Sequence, residues 1–231
     1  MIALKNVLRS YYRFNQEPFY AIRDISLTIE DKKMTAIIGK SGSGKTTLLN
    51  VISTMDSPQE GSLLIDGVEY ASSYPTNQGE WRQANAGLLF QSSNLENSLT
   101  VLENVAFPLM LTGVRAHERK KRAMALLVRF HLEKLRHRHP TRLSGGEKQR
   151  IALARAMYHN PPILLADEPT GSLNQEDGDQ IVDLLFQYVH HNRTVVMVTH
   201  NPDYAEKADL LIHIQDGKVM VDKRTGTTPA L

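Results

Sequence analysis

The 231-residue sequence has no cysteine. That excludes a disulfide framework, a thiolate metal site and thiol catalysis, and it fits a reducing compartment. Charge of one sign is not in excess. Lys and Arg total 27 against 25 Asp and Glu, a formal net charge of +2, too little for the electrostatic footprint of a nucleic-acid binder, so no nucleic-acid partner is expected. No apolar run approaches the ~20 residues of a membrane span. The opening residues Met1-Ile2-Ala3-Leu4-Lys5 do not start the long apolar stretch of a secretory signal, and none is expected. Any work at a membrane therefore has to pass through another protein. Internal repeats are also lacking. What remains is ordinary globular composition, 41% hydrophobic and 23% charged, on a chain long enough for one large α/β domain or two small ones.

The stretch that organises the rest is Gly39-Lys40-Ser41-Gly42-Ser43-Gly44-Lys45-Thr46. Met34 to Ile38, before it, is short, apolar and partly β-branched and reads as a buried strand. Thr47 to Ile52, after it, reads as the first turns of a helix. Strand, GxxxxGK[ST], helix is the context of a phosphate-binding loop. Its glycines let backbone N–H groups close on phosphate oxygens, and the positive end of the helix dipole adds to that field. Lys45 is expected to reach the β- and γ-phosphates and the Thr46 hydroxyl to ligate Mg²⁺. A guanine-reading NKxD motif is absent, which argues against a GTPase.

Around this loop the first part of the chain reads as β-rich. Residues 2–12 and 19–30 are expected strands, with Ile25, Leu27 and Ile29 alternating as on a half-buried antiparallel strand. Leu63 to Ile65, Asp66-Gly67 and Val68 to Tyr70 read as a hairpin. Residues 71–80, polar with Pro75 and Gly79, read as loop. Ala86 to Phe90 is a buried strand candidate ending at Gln91. The middle is helical in pattern over 101–111 and 117–132. The charge run Arg115 to Arg122 reads as a solvated helix face. His137 and His139 have no acidic or thiol neighbour to complete a metal site.

At Leu143-Ser144-Gly145-Gly146-Glu147-Lys148-Gln149-Arg150 a further helix begins. Ser144 and Glu147 have capping-box spacing. That does not account for Gly145-Gly146, because glycine is poor in a first helical turn. Bare N–H groups there make a second anion site. Ile163 to Ala166 is a buried strand running into Asp167-Glu168-Pro169. Adjacent carboxylates at the end of a core strand are costly unless they bind a cation or do chemistry. Alternation along the strand would set Asp167 beside Mg²⁺ and turn Glu168 to the γ-phosphate. Ile181, Leu184, Leu185 and Tyr188 mark an amphipathic helix. Thr194 to Thr199 is another core strand, ending at His200, for which pattern alone does not decide a role. Leu210 to Ile214, Asp216-Gly217 and Lys218 to Val221 make a closing hairpin, and the tail after Arg224 is expected to be loose.

Taken together, the loop at 39–46, Gln91, LSGGEKQR at 143–150, ILLADEP at 163–169 and His200 resemble, in order and over nearly the whole chain, the ATP-binding cassette (ABC) ATPases. LSGGE is the most specific piece, since other phosphate-loop NTPases lack it. Finer stretches, Phe90 to Leu95, Leu99 to Val105 and Ala166 to Gly171, resemble the exporter branch of MacB, LolD and FtsE type. The resemblance implies an α/β fold: a RecA-like phosphate-loop core, an N-terminal antiparallel β subdomain and an inserted α-helical subdomain. It implies one ATPase domain over 1–231, with core and β subdomain at 1–91 and 159–224, the helical subdomain at 92–158 and a tail at 225–231.

The resemblance also implies ATP and Mg²⁺ as cofactors. Gly39, Lys40, Ser41, Gly42, Ser43, Gly44, Lys45, Thr46 and Thr47 would bind the phosphates. Gln91 would sense Mg²⁺ and the attacking water and touch a membrane partner, and Asp167 would hold the metal. Glu168 would be the general base and His200 the switch at the γ-phosphate. Ser144, Gly145 and Gly146 would act on ATP held by a second copy. The adenine-stacking aromatic would be Tyr11, with Tyr12 the neighbouring candidate. A separate membrane permease and a second copy in head-to-tail arrangement are the implied partners, and the cytoplasmic face of the membrane the implied location. Cargo would be apolar or amphipathic (haem, peptide, drug or lipoprotein), with FtsE-like signalling without transport as the alternative. A soluble ABC ATPase of translation or DNA repair fits less well, since those usually carry two cassettes or a long coiled coil. One departure stands out: the loop after the acidic pair usually ends in aspartate, whereas here it reads Ser172-Leu173-Asn174, which keeps size and hydrogen bonding but loses charge.

Overall fold

The computed structural model describes residues 1–12, 17–70 and 76–224. The expected tail at 225–231 and the first half of the expected loop, 71–75, lie outside them. Strands β1 (Ile2–Tyr11), β2 (Phe19–Ile29), β3 (Met34–Ile38), β4 (Glu60–Ile65) and β5 (Val68–Glu69) bracket helix α1 (Lys45–Ile52). Helix α2 (Thr76–Asn85) and strand β6 (Ala86–Leu89) follow, then helices α3 (Val101–Ala106), α4 (Ala116–Arg129) and α5 (Gly145–Ala156). Strand β7 (Ile163–Asp167), helix α6 (Gln175–His190), strand β8 (Thr194–Val198), the short helix α7 (Pro202–Ala205) and the hairpin β9 (Leu210–Gln215) and β10 (Lys218–Arg224) complete the order.

Two sheets result. The first is antiparallel, in the order β2-β1-β4-β5; the second runs β10-β9-β3-β8-β7-β6. In the second, β9, β3, β8, β7 and β6 are parallel neighbours and only β10 is antiparallel. Successive residues of its central strands serve different cores, as the period of two requires. Leu164, Ala166, Val195 and Met197 enter a core shared with α3, α4, α5 and α6. Ile163, Leu165, Val196 and Val198 enter a second core with α1 and the antiparallel sheet. Helix α1 is thus clamped between the sheets through Leu48, Leu49, Val51 and Ile52.

Two expectations need correction. Residues 76–80, expected as loop, instead open the helix that runs to Asn85. Its anchors are tertiary: Trp81 packs against Tyr70 at 5.8 Å between ring centroids, and Arg82 donates to the Thr54 carbonyl and hydroxyl. Those contacts override a weak local propensity that contains Gly79. The helix expected over 101–111 stops at Ala106 and continues as a 3₁₀ turn, Phe107–Thr112, because Pro108 brings no N–H to an α ladder. The charge run lies along α4, where Lys120, Lys121 and Arg122 are exposed and Arg122 pairs with Glu118 at 2.8 Å.

Candidate functional site

Strand order dictates where the chemistry-bearing residues meet. β3, β8 and β7 are adjacent and parallel, so their carboxyl ends open on one edge, the usual ligand side of such a sheet. The 39–46 loop leaves β3, His200 follows β8, and Asp167-Glu168 end β7. Gln91 follows β6, next in the sheet. A cavity of about 450 Å³ forms there, and the glycine-rich loop, Gln91, Glu168 and His200 share its lining.

The loop is held in shape by its surroundings. Gly44 caps α1 at φ 104°, and a Cβ there would overlap the Ala21 carbonyl oxygen; only glycine meets both demands without strain. Gly217, in the turn between β9 and β10, donates its N–H to the Ser43 carbonyl at 3.0 Å. Lys45 is 5% exposed, and its Nζ donates to the carbonyls of Gly39 and Lys40, both at 2.9 Å. Two of three ammonium protons are thereby committed, with one left for a ligand. Burial pushes the Lys45 ammonium down from its ordinary value, while Glu168 and Asp167 oppose that shift.

At the end of β7 the two carboxylates differ. Asp167 Oδ1 is buried with no hydrogen-bond partner among the described residues. Burial pushes its carboxyl up from the ordinary range, against a hydrogen bond from the Thr46 hydroxyl; Glu168 adds to the rise. An orphaned hard oxygen beside a hydroxyl fits Mg²⁺, which takes oxygen ligands. Glu168 sits at φ 45°, a left-handed conformation costing a glutamate of order 1–3 kcal/mol. Its N–H is tied to the Val198 carbonyl at 2.9 Å, and its Oε1 lies 2.5 Å from His200 Nε2. A Cβ at Gly171 would fall 3.3 Å from Gln91 Nε2 and 3.6 Å from Glu168 Oε2, so these side chains converge across that glycine.

Of the two candidate aromatics, Tyr12 is 76% exposed. Tyr11 donates its hydroxyl to Asp56 at 2.7 Å and lies under the Arg9 guanidinium at 5.2 Å, contacts that hold it beside the segment after α1. Sequence reasoning missed Phe19, which faces Tyr11 across the β1–β2 ladder and, unlike Tyr11, is among the residues lining the cavity at the 39–46 loop. The available signal was an aromatic residue at the opening of the strand expected over 19–30. His137 accepts from Arg136 and His139 contacts the Asn97 carbonyl. Among the described residues no cluster of three or more His, Cys, Asp or Glu could hold a metal.

The second glycine-rich helix start is built as expected. Ser144 caps α5, accepting from the Glu147 N–H at 3.1 Å, while Glu147 Oε2 accepts from the Ser144 N–H at 2.8 Å. Ser144, Gly145 and Gly146 line neither the cavity at the 39–46 loop nor the neighbouring one of about 460 Å³, which Glu168 and His200 share with Leu173 and Asn174. The two glycine-rich helix starts therefore share the lining of neither cavity.

Comparison with known proteins shows which family this fold belongs to. The profile of the family described as ABC transporter matches residues 22–171. The uncharacterized ABC transporter ATP-binding protein YvrO of Bacillus subtilis is 37% identical over 224 residues, covering 97% of each chain. The macrolide export ATP-binding/permease protein MacB of Bartonella henselae is 39% identical over 223 residues, 96% of this chain but 34% of MacB, so the chain spans about a third of that relative. Among solved structures, the dimeric post-hydrolysis state of the ATP-binding cassette MJ0796, from Methanocaldococcus jannaschii, bound to ADP and Pi, superposes with TM-score 0.91 at 37% identity. That match covers 98% of this chain and 99% of the other. By sequence and by fold the chain belongs to the ABC transporter family, as one of its ATP-binding ATPase cassettes.

Proposed function

We propose that the cassette hydrolyses ATP as a head-to-tail pair, each copy's 39–47 loop holding the phosphates while Ser144, Gly145 and Gly146 of the other copy close over them. One observation carries this reading: the N-terminus of α5, capped by Ser144 and opened by two glycines, lines neither cavity at its own phosphate loop. Within the site Lys45 and the loop N–H groups take the β- and γ-phosphates, and Tyr11 stacks on the base with Phe19 beside it. Thr46, Asp167 and Gln91 hold Mg²⁺, which offsets phosphate charge when bound. Glu168 accepts the proton of the attacking water, and His200, 2.5 Å away, orients that carboxylate toward the γ-phosphate. ATP then favours the closed pair, and hydrolysis releases it.

None of the described helices is long and apolar enough to cross a membrane, and MacB joins an ATP-binding part to a permease in one chain. The proposed partner is accordingly a separate permease at the cytoplasmic face, moving an apolar or amphipathic cargo that the permease selects. Glu168→Gln tests the core of the reading. ATP binding is retained, turnover falls by about 10²-fold or more, as expected for a lost general base, and ATP drives the variant into a stable dimer on size exclusion. Near-normal turnover removes Glu168 as the base; a variant that stays monomeric with ATP removes the composite site.

A further inference from the structure

The loop ending in Asn174 and the helix start at Ser144 meet in the monomer, and the contact is specific. A Cβ on Gly146 would overlap the carboxyl carbon and both carboxyl oxygens of Asp177, and one on Gly145 would sit 3.6 Å from Leu173 Cδ2. Gly146 is buried. Asp177 lies in the first turn of α6, where Asn174 is the N-cap. Asn174 Oδ1 accepts from the Asp177 N–H at 2.8 Å, and Asn174 Nδ2 donates to Asp177 Oδ2 at 3.1 Å. One carboxylate is therefore gripped by the neutral residue at 174 and lies against the backbone of the second glycine of the helix start. A negative group at the N-termini of α5 and α6 together is electrostatically favoured at both.

The geometry points to Asp177 as a positioning residue for the glycine-rich start of α5: its carboxylate, fixed by Asn174, is the seat on which Gly146 rests, so that this helix end and the 171–174 loop move as one body. Gly146 has two reasons to lack a side chain, close approach to phosphate and close approach to Asp177, and they are separable. The inference rests on the composite site proposed above. In a strand-to-helix loop that reports on Glu168 and also holds α5, loss of the seat should slow closure of the pair rather than weaken ATP binding to a single copy.

The test is a double-mutant cycle on the full chain, read by steady-state hydrolysis and by thermal melting. Asp177→Ala is expected to lower kcat about tenfold with KM for ATP within twofold. Asp177→Asn, which keeps an acceptor for Asn174 Nδ2, is expected to stay within about threefold of the parent. Gly146→Ala can be accommodated only by swinging Asp177 off its seat, so adding Asp177→Ala to it should change kcat by less than about twofold. Sites that share a contact depart from additivity in this way. A full tenfold drop on the Gly146→Ala background, or Asp177→Asn as slow as Asp177→Ala, overturns the inference. Should the parent chain not hydrolyse ATP, the composite-site reading fails. The seat is then judged by melting alone: the two single substitutions must lower Tm non-additively, and additive shifts reject it.

Discussion

Asp167→Asn separates the cost of the site from its use. Asp167 carries a buried carboxylate oxygen without a partner among the described residues, and burial rather than a neighbouring charge dominates its environment. An unsatisfied buried acceptor costs about 1–3 kcal/mol, more when charged. The amide keeps an oxygen for the Thr46 hydroxyl and removes the buried charge, but leaves its own N–H donors to place. The low end of that range is the appropriate expectation, a gain of about 1 kcal/mol. In a domain of this size that raises Tm by roughly 2–4 °C. With Mg²⁺ and ATP at about 100 times Kd, the parent gains roughly 2.7 kcal/mol, or about 5–11 °C by the same conversion. The variant loses most of that gain because its metal ligand is neutral. Differential scanning fluorimetry with EDTA and then with Mg²⁺ and ATP should therefore show the order of the two melting points reversing. A variant less stable than the parent in EDTA refutes the account of Asp167 as a buried carboxylate that costs stability in the absence of metal. Equal stabilisation of both proteins by Mg²⁺ and ATP refutes its assignment to the metal.

Two further outcomes follow from the same geometry. Lys45→Ala removes charge-assisted hydrogen bonds worth about 1.5–3 kcal/mol each, so ATP affinity by equilibrium binding should fall by at least about tenfold and turnover should vanish; unchanged affinity contradicts the role given to Lys45. Ser144→Ala removes the N-cap of α5 and should cost about 1 kcal/mol by denaturant titration. It should lower turnover while ATP binding to the isolated chain is unaffected, and a variant with parental turnover at every protein concentration argues against a site completed by a second copy.

What the sequence made legible was local chemistry. The 39–46 loop, the capping box at Ser144 and the hairpins at Asp66-Gly67 and Asp216-Gly217 are specified by neighbouring residues, and each forms where its pattern says. The pairing of β3 with β8 and β9, across more than 150 residues, has no local signature, and so nothing in the sequence showed that Gly217 would brace Ser43. The same limit hid α2: its ten residues are mostly polar and include a glycine, and the helix exists because Trp81 and Arg82 find partners outside it. Phe19 and Asp177 were missed for a related reason. Their motif neighbours are defined by spacing along the chain, whereas they reach the site through a strand ladder and a helix contact.

The least favourable features of the fold gather at one end of the parallel sheet: a left-handed glutamate at 168, an orphaned oxygen at 167 and a buried ammonium at 45. At about 1–3 kcal/mol apiece, they weigh against a total stability of 5–15 kcal/mol typical of domains. They can persist because β7 and β8 are buried on both faces and anchored in two cores, so the rest of the sheet over-determines their ends. Their complements are also mutually consistent: an anion for Lys45 and a cation for Asp167 are the two halves of a metal–phosphate unit. A substitution that relieves any one of the three in the empty protein should therefore cost binding or turnover, which makes stability gained at this edge a marker of function lost there.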